Sequence, residues 1–401
     1  MDESSSAPPA KGAAGERRGQ RKSVPSLSNA VIAFESEDAA RGRLESFGYS
    51  REIAAEIAVY LAQSTDLPLF AGEIAGALAE RGVEAEFVEL DQLPERLTAL
   101  APRRDETIVW TLNDGVRFYR GSSVPALARL QGFARFGSPA PAAHLAQDKF
   151  ASLALASAAG LPIPPTILIE GDKEIAALRK RPKSVGPLFV KPNTLGAKIG
   201  IFADSLCRDL AEAKDRARRI FERYRDRALI QPFVEGDDVR VSFIDLGGDF
   251  ADQLGVERIV KDPRSETGGV FLTMKDNETL SGARDTDGRR GGFGLGHAAA
   301  FTPRMIDLRE ERSVWSRRAV ERILDLSARL ARLIGLRDLF SIDFRIPADG
   351  EPVFLEFEVS PAVTIYDFQN YLRRRRGVSL GEALATALKI AHARRRAIEE
   401  A

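Results

Sequence analysis

Three carboxylates interrupt two short, largely apolar runs, and no other feature limits the fold as much. Asp343 lies in Phe340-Ser341-Ile342-Asp343-Phe344; Glu356 and Glu358 lie in Phe354-Leu355-Glu356-Phe357-Glu358. Alternate residues of a strand point to one face, so Glu356 and Glu358 aim together. A hairpin turning at Ala348-Asp349-Gly350 lets Asp343 join them. Acids gathered on one face repel unless cations neutralise them. Two readings follow. The acids form a solvated polar face, or they hold a hard cation such as Mg²⁺ with substrate phosphates among its other ligands.

The rest of the chain alternates strands with helices, the pattern of a parallel αβ unit. Ala30 to Phe34 reads as a buried strand, followed by a helix through Ile53, Ile57 and Leu61 and another from about Gly72 to Arg81. Val83 to Leu90 and Thr107 to Leu112 read as further strands, the last ending in an Asn113-Asp114-Gly115 turn. Pro139 and Pro141 mark a boundary. Beyond them come strands at 166–169, 188–190, 228–231 and 239–246, a charged helix over 208–224, and an amphipathic helix over 315–334. A final helix starts near Ser379. The expected division is a disordered tail over 1–29, an N-terminal αβ domain over 30–144, a central lobe over 145–235, and a C-terminal lobe over 236–401 that includes the last helix. The Gly-, Asp- and Arg-rich stretch over 262–303 is too long for an ordinary loop and suits a functional one.

Two further segments carry chemistry. Leu188-Phe189-Val190-Lys191-Pro192 is a strand ending in lysine, followed by the loop Asn193 to Gly200, which includes Gly196 and Lys198. Glycines let backbone N–H groups approach an anion and the lysines add charge, but the spacing is not that of a Walker A loop. Ile230-Gln231-Pro232-Phe233-Val234-Glu235-Gly236-Asp237-Asp238 joins two strands. Pro232 can offer only a carbonyl, Val234 can offer an N–H to an adenine edge, and Asp238 can accept from ribose hydroxyls; the bland reading is a simple turn. The glycines of Gly291 to Gly296 follow no strand and read as loop, and the basic run Arg373 to Arg376 reads as solvated surface.

Supply excludes other chemistries. One cysteine, Cys207, rules out a disulfide framework and any multi-cysteine metal site, and three histidines leave little for a zinc centre. The formal net charge of +0 argues against nucleic acid as a partner. No apolar run reaches the roughly 18 residues of a membrane helix, and no secretory leader is evident, so a cytoplasmic protein without membrane contact is expected.

An Asp-Lys helix at Lys149, a strand-Lys-Pro with a glycine loop, a hinge ending in an acid, and Asp and Glu-x-Glu on late strands occur here in that order. In order and spacing they resemble the ATP-grasp superfamily, most of all its D-alanine–D-alanine ligase branch. The resemblance implies an α/β and α+β architecture: an ATP-grasp fold preceded by an open αβ (pre-ATP-grasp) domain. It implies ATP and Mg²⁺ (or Mn²⁺) as cofactors, small amino acid or peptide substrates, a homodimer as in relatives, and carboxylate–amine ligation through an acyl phosphate. Residue by residue it makes Lys149, Lys191, Gly196 and Lys198 phosphate-binding. Gln231, Pro232, Phe233 and Val234 match the adenine hinge and Asp238 the ribose acid. Asp343, Glu356 and Glu358 are the implied metal ligands, and Lys275 matches the lysine of the mobile loop.

Departures from that branch change the substrate expectation. Ser341 stands where those ligases carry an arginine, Pro361-Ala362 replaces Pro-Gly, and Glu358 replaces asparagine. Arg345 or Arg240 is the expected substitute cation, with Lys198 a candidate to balance Glu358. Asp238-Val239-Arg240-Val241 resembles the Asp-x-Arg-Val of glutamate-ligating and glutathione-synthesising relatives. The rival readings are a glutamate- or peptide-ligating enzyme and an ATP-binding module without turnover.

Overall fold

The computed structural model describes residues 26–63, 67–112, 120–179, 186–196, 198–261, 263, 265–274, 304–310, 317–361, 368 and 371–399. Most of the expected tail, the turn at 113–115, the glycines at 291–296 and Lys275 lie outside these residues. Order begins before residue 30: Leu27 is buried, and the Ser28 N–H donates to the Glu106 carbonyl at 3.0 Å.

The N-terminal unit runs β1 (Asn29–Phe34), α1 (Glu37–Ser46), α2 (Arg51–Gln63), α3 (Leu67–Ala79), β2 (Glu84–Glu89), α4 (Leu93–Ala99), β3 (Thr107–Thr111), α5 (Val124–Leu130), β4 (Ala134–Arg135) and α6 (Ala140–Ala146). Its four strands are parallel in the order β2-β1-β3-β4. Every residue of β3 is buried, as a parallel strand covered on both faces requires.

The central lobe runs α7 (Lys149–Ala158), β5 (Thr166–Glu170), β6 (Lys173–Leu178), β7 (Leu188–Pro192), β8 (Leu206–Cys207), α8 (Leu210–Tyr224) and β9 (Ala228–Pro232), with sheet order β6-β5-β9-β7-β8. Asp148 caps α7 by accepting from the Ala151 N–H, and Asp209 caps α8 through the Glu212 N–H.

The C-terminal lobe runs β10 (Asp237–Ile244), α9 (Phe250–Gln253), β11 (Gly255–Val260), β12 (Arg304–Asp307), α10 (Arg317–Ile334), β13 (Leu339–Ile346), β14 (Val353–Glu358) and α11 (Leu380–Glu399). Its antiparallel sheet has the order β12-β11-β10-β13-β14. Val239, Val241, Ile342 and Phe344 point to the core under α10, where Ile323, Leu326 and Leu330 are fully buried. Each such side chain contributes about 1.5–3 kcal/mol. The alternate residues Asp238, Arg240, Ser341 and Asp343 face the other side.

The last helix does not belong where its position in the chain suggests. The α11 residues Leu384, Ala387 and Leu388 share a core with Ile32, Ile74 and Trp110 of the N-terminal unit. Gly381 meets Ala77 of α3 so closely that an added Cβ would lie 2.0 Å from the alanine Cβ. The Lys389 ammonium donates to the Arg81 carbonyl at 3.0 Å. Arg394 joins the units through Asp338 and, at 3.0 Å, Asp245, while Asp338 also accepts from the Gly137 N–H at 2.9 Å.

Candidate active site

The open face of the C-terminal sheet carries a row of charge set by strand register. Glu257 pairs with Arg240, Arg240 with Asp343, and Asp343 with Glu356. Arg240 grips Asp343 with both arms, Nε to Oδ1 at 2.9 Å and Nη2 to Oδ2 at 3.0 Å. It also reaches Glu358 at 3.5 Å. Glu358 itself accepts from the Ser341 hydroxyl at 2.9 Å, its cross-strand partner.

The central lobe supplies the opposing cations. The Lys149 ammonium lies 3.5 Å from Glu356 and donates to the Leu195 carbonyl at 2.8 Å. Asn193 ties the two lysine-bearing elements together: its carbonyl accepts from the Lys149 N–H at 3.2 Å and its side chain from the Phe150 N–H at 2.9 Å. Asp226 pins the neighbouring Thr194 at 2.8 and 2.9 Å. Burial pushes the Lys191 ammonium down, opposed by Glu356. Burial would raise Glu356, but Lys149, then Lys191 and Arg240, overcome it and hold the carboxyl below its ordinary range. Asp343 is pushed up to about 7 by burial; Arg240 opposes this, and Glu358 and Glu356 add to it. The two acids differ because Glu356 is flanked by two lysines, whereas Asp343 shares one guanidinium with Glu358.

Asp343, Glu356 and Glu358 share this face, with Arg240 between Asp343 and Glu358. Among the described residues no group of three or more Asp, Glu, His or Cys converges so as to hold a metal. Protein cations have taken the neutralising role, and Ser341 draws Glu358 aside. Asp343 and Glu356 remain opposed in register with hard oxygen donors. Two acids suit Mg²⁺ (or Mn²⁺), which keeps water and phosphate as its other ligands.

The hinge stands at the other end of this face. The Phe233 N–H donates to the Pro187 carbonyl at 2.9 Å, and Gln231 is buried with its amide donating to the Thr166 hydroxyl at 2.8 Å. Phe233, Phe189 and Phe271 cluster with ring centroids 5.0–6.2 Å apart. Gly236 has φ +143, and a Cβ there would lie 2.1 Å from the Ile346 carbonyl oxygen, so only glycine lets the hinge run this close to β13.

No protein-family model matches the chain. It is 24% identical over 328 residues to a D-alanine–D-alanine ligase of Coprothermobacter proteolyticus, covering 81% of this chain and 94% of that one. It is 24% identical over 319 residues to a D-alanine–D-alanine ligase of Citrifermentans bemidjiense, covering 79% and 88%. The crystal structure of D-alanine–D-alanine ligase from Bacillus anthracis complexed with ATP superposes with a TM-score of 0.60 at 14% identity, covering 94% of this chain and all of that one.

The chain has an ATP-grasp fold and is similar in sequence to D-alanine–D-alanine ligases.

Within this ATP-grasp protein the two candidate arginines separate. Arg240 sits among the acids. Arg345 does not: its Nε donates to the Val234 carbonyl at 2.9 Å, its Nη2 to the Val270 carbonyl at 3.0 Å, and its Nη1 pairs with Asp238. Its guanidinium lies over the Phe233 ring, 5.1 Å from the centroid. Arg345 thus braces the hinge, because it faces Asp238 across the ladder, one pair beyond Phe344. Asp238 is engaged by Lys261 as well, at 2.8 Å. Lys261 was missed in the sequence; an isolated lysine at the end of an unrecognised strand carries no local signal. Lys198 stands in a left-handed turn at φ +61; Arg240 is a cation that reaches Glu358. Gly196 accepts from the Ile199 N–H at 3.0 Å and shapes the same loop.

Proposed function

We propose that this protein is an ADP-forming ATP-grasp ligase that joins a carboxylate to an amine, acting on small amino acid or peptide substrates in the cytoplasm. The observation that carries the reading is the meeting of Lys149 and Lys191, from two elements of one lobe, with Asp343 and Glu356 on the sheet of the other. Bound Mg-ATP supplies the phosphoryl group that activates the substrate carboxylate toward the amine. Lys149 and Lys191 offset phosphate charge, Asp343 and Glu356 hold the metal, and Arg240 keeps Asp343 oriented and ionised. Phosphoryl transfer asks for little beyond such positioning and charge neutralisation. Phe189, Phe233 and Val234 receive the base and Asp238 the ribose, with Arg345 and Lys261 fixing the acid. The protein pairs as a homodimer.

Two features support a product other than D-alanyl-D-alanine: Ser341 is tied to Glu358, and the cation of the site, Arg240, is already bidentate on Asp343. A glutamate- or peptide-ligating activity is the second reading. ADP release measured with Mg-ATP across D-alanine, L-glutamate and short peptides separates the two. Glu356→Ala should reduce release to background with little change in thermal midpoint, and retained turnover would remove the metal assignment. Lys191→Ala should weaken ATP binding about 10–100-fold, the scale of a charged contact. ATP binding without ADP formation on any substrate would make the protein a binding module.

A further inference from the structure

A second cationic centre lies at the outer edge of the same sheet. The charged row continues past Arg240 through Glu257 to Asp307 on β12. Over this edge sits a single π-helical turn, Leu372–Arg376, which carries four arginines and ends at Gly377 with φ +67. It is anchored by Tyr371, whose ring covers Gly255 and whose hydroxyl donates to the Gln253 carbonyl. One-turn π segments often occur at functional sites.

Asp307 links two of the arginines at this edge. It pairs with Arg375 at 3.3 Å and accepts from the Arg309 N–H at 2.9 Å. The Arg309 side chain donates to the Ala251 carbonyl at 3.1 Å. Each guanidinium still has a buried N–H with no acceptor among the described residues: Nη1 of Arg309 and Nε of Arg375. Buried donors are ordinarily satisfied, and orphans ask for an explanation. The two groups also repel: burial first and Arg375 second hold Arg309 below its ordinary range, with Asp307 and Asp252 opposing. A groove of about 350 Å³ opens beside Arg375, lined by Leu246, Arg376, Val378, Glu382 and Thr386 among others. Arg375 lines this groove and Arg309 lies close enough to feel its charge, so an oxyanion in the groove meets the Arg375 guanidinium and relieves the repulsion.

We propose that Arg309 and Arg375 form an anion site that takes the remote carboxylate or phosphate of a substrate. Asp307 stands three strands from Asp343, about 14 Å at ordinary strand spacing, and arginine side chains shorten that reach. The substrate class is therefore an acid of peptide length, whose second anionic group lies on the order of 10 Å from the reacting centre. This rests on the ligase reading for the reaction, but the anion site can be tested without turnover.

Inorganic phosphate is titrated calorimetrically into the protein saturated with Mg²⁺ and a non-hydrolysable ATP analogue, so that the nucleotide site is filled. One phosphate per chain is expected, weakened at least tenfold in Arg309→Gln and in Arg375→Gln. Arg374→Gln, at an exposed position of the same turn, should bind as the parent does. Arg309→Lys keeps the charge and guards against loss of fold. No phosphate uptake, or equal affinity in all variants, overturns the site. In the ADP-release assay, Arg375→Gln should raise KM for a peptide acid at least tenfold more than for the corresponding peptide amide. Phosphate binding without that KM difference overturns the substrate assignment. No ADP from any substrate with the parent protein sinks the ligase reading, and leaves the phosphate titration to decide the anion site.

Discussion

Replacing Arg240 with methionine should destabilise the protein by an amount that grows with pH. Arg240 grips Asp343 at 2.9 and 3.0 Å, and with that grip the Asp343 carboxyl sits at about 7 against an ordinary 3.8. A raised carboxyl means that the folded state keeps a proton the unfolded chain gives up. Stability from this group therefore falls as pH rises from about 4 to about 7, and then levels off once Asp343 ionises. Without Arg240 the carboxyl moves further up and the fall continues. At pH 8, above its value, ionised Asp343 contributes on the order of 1 kcal/mol that the variant loses; at pH 6, below its value, the loss is close to nil. Methionine keeps most of the aliphatic packing, so the difference reports charge. Urea unfolding of both proteins at pH 6, 7 and 8 measures it. A stability difference that is flat with pH, or larger at pH 6, would refute the claim that Arg240 holds Asp343 ionised.

Gly236→Ala should lower stability by more than about 2 kcal/mol and weaken nucleotide binding, because the new Cβ meets the Ile346 carbonyl oxygen at 2.1 Å in a left-handed backbone; unfolding curves and ATP-analogue titration check both effects. Asp338→Ala leaves Arg394 and the Gly137 N–H without their buried acceptor and should cost about 3–5 kcal/mol, read as a lowered denaturation midpoint. Arg345→Met removes the brace on the Val234 carbonyl and on Asp238; it should raise the Kd for ATP about tenfold while ADP release persists at saturating ATP, and loss of release would place Arg345 at the reaction centre instead.

Much of the site was legible because its signals are local. The hairpin over 340–357 formed as expected, since apolar alternation and a Gly turn act within about 20 residues, and it brought Asp343 and Glu356 together. Strand β7 carries Lys191 next to its last residue, Pro192, and the charged helix α8 and the amphipathic helix α10 formed as expected. Five of the described strands were not legible: the two-residue β4 and β8, which are too short to show a pattern, and β6, β11 and β12. β6, read as Lys-Glu-Ile-Ala-Ala-Leu, is a largely exposed edge strand with no alternation, and β11 and β12 flank the long segment over 262–303, which masks the pairing between them. The basic turn over 372–376 reads as ordinary surface because its anchor, Tyr371 on Gly255, is a contact distant in sequence.

By itself the sequence determined which groups this protein owns: two lysines and paired acids on strands, a glycine-bent hinge, and too little cysteine and histidine for a cysteine- or histidine-built metal centre. The tertiary structure decided who neutralises whom. Arg240 and Arg345 each stand two residues from one of the same two acids in sequence, yet antiparallel register sends one to Asp343 and the other to Asp238. It likewise gave the C-terminal helix to the N-terminal core. Local pattern sets which face a side chain takes, but electrostatic pairing depends on distances across strands and lobes, which only the assembled chain defines.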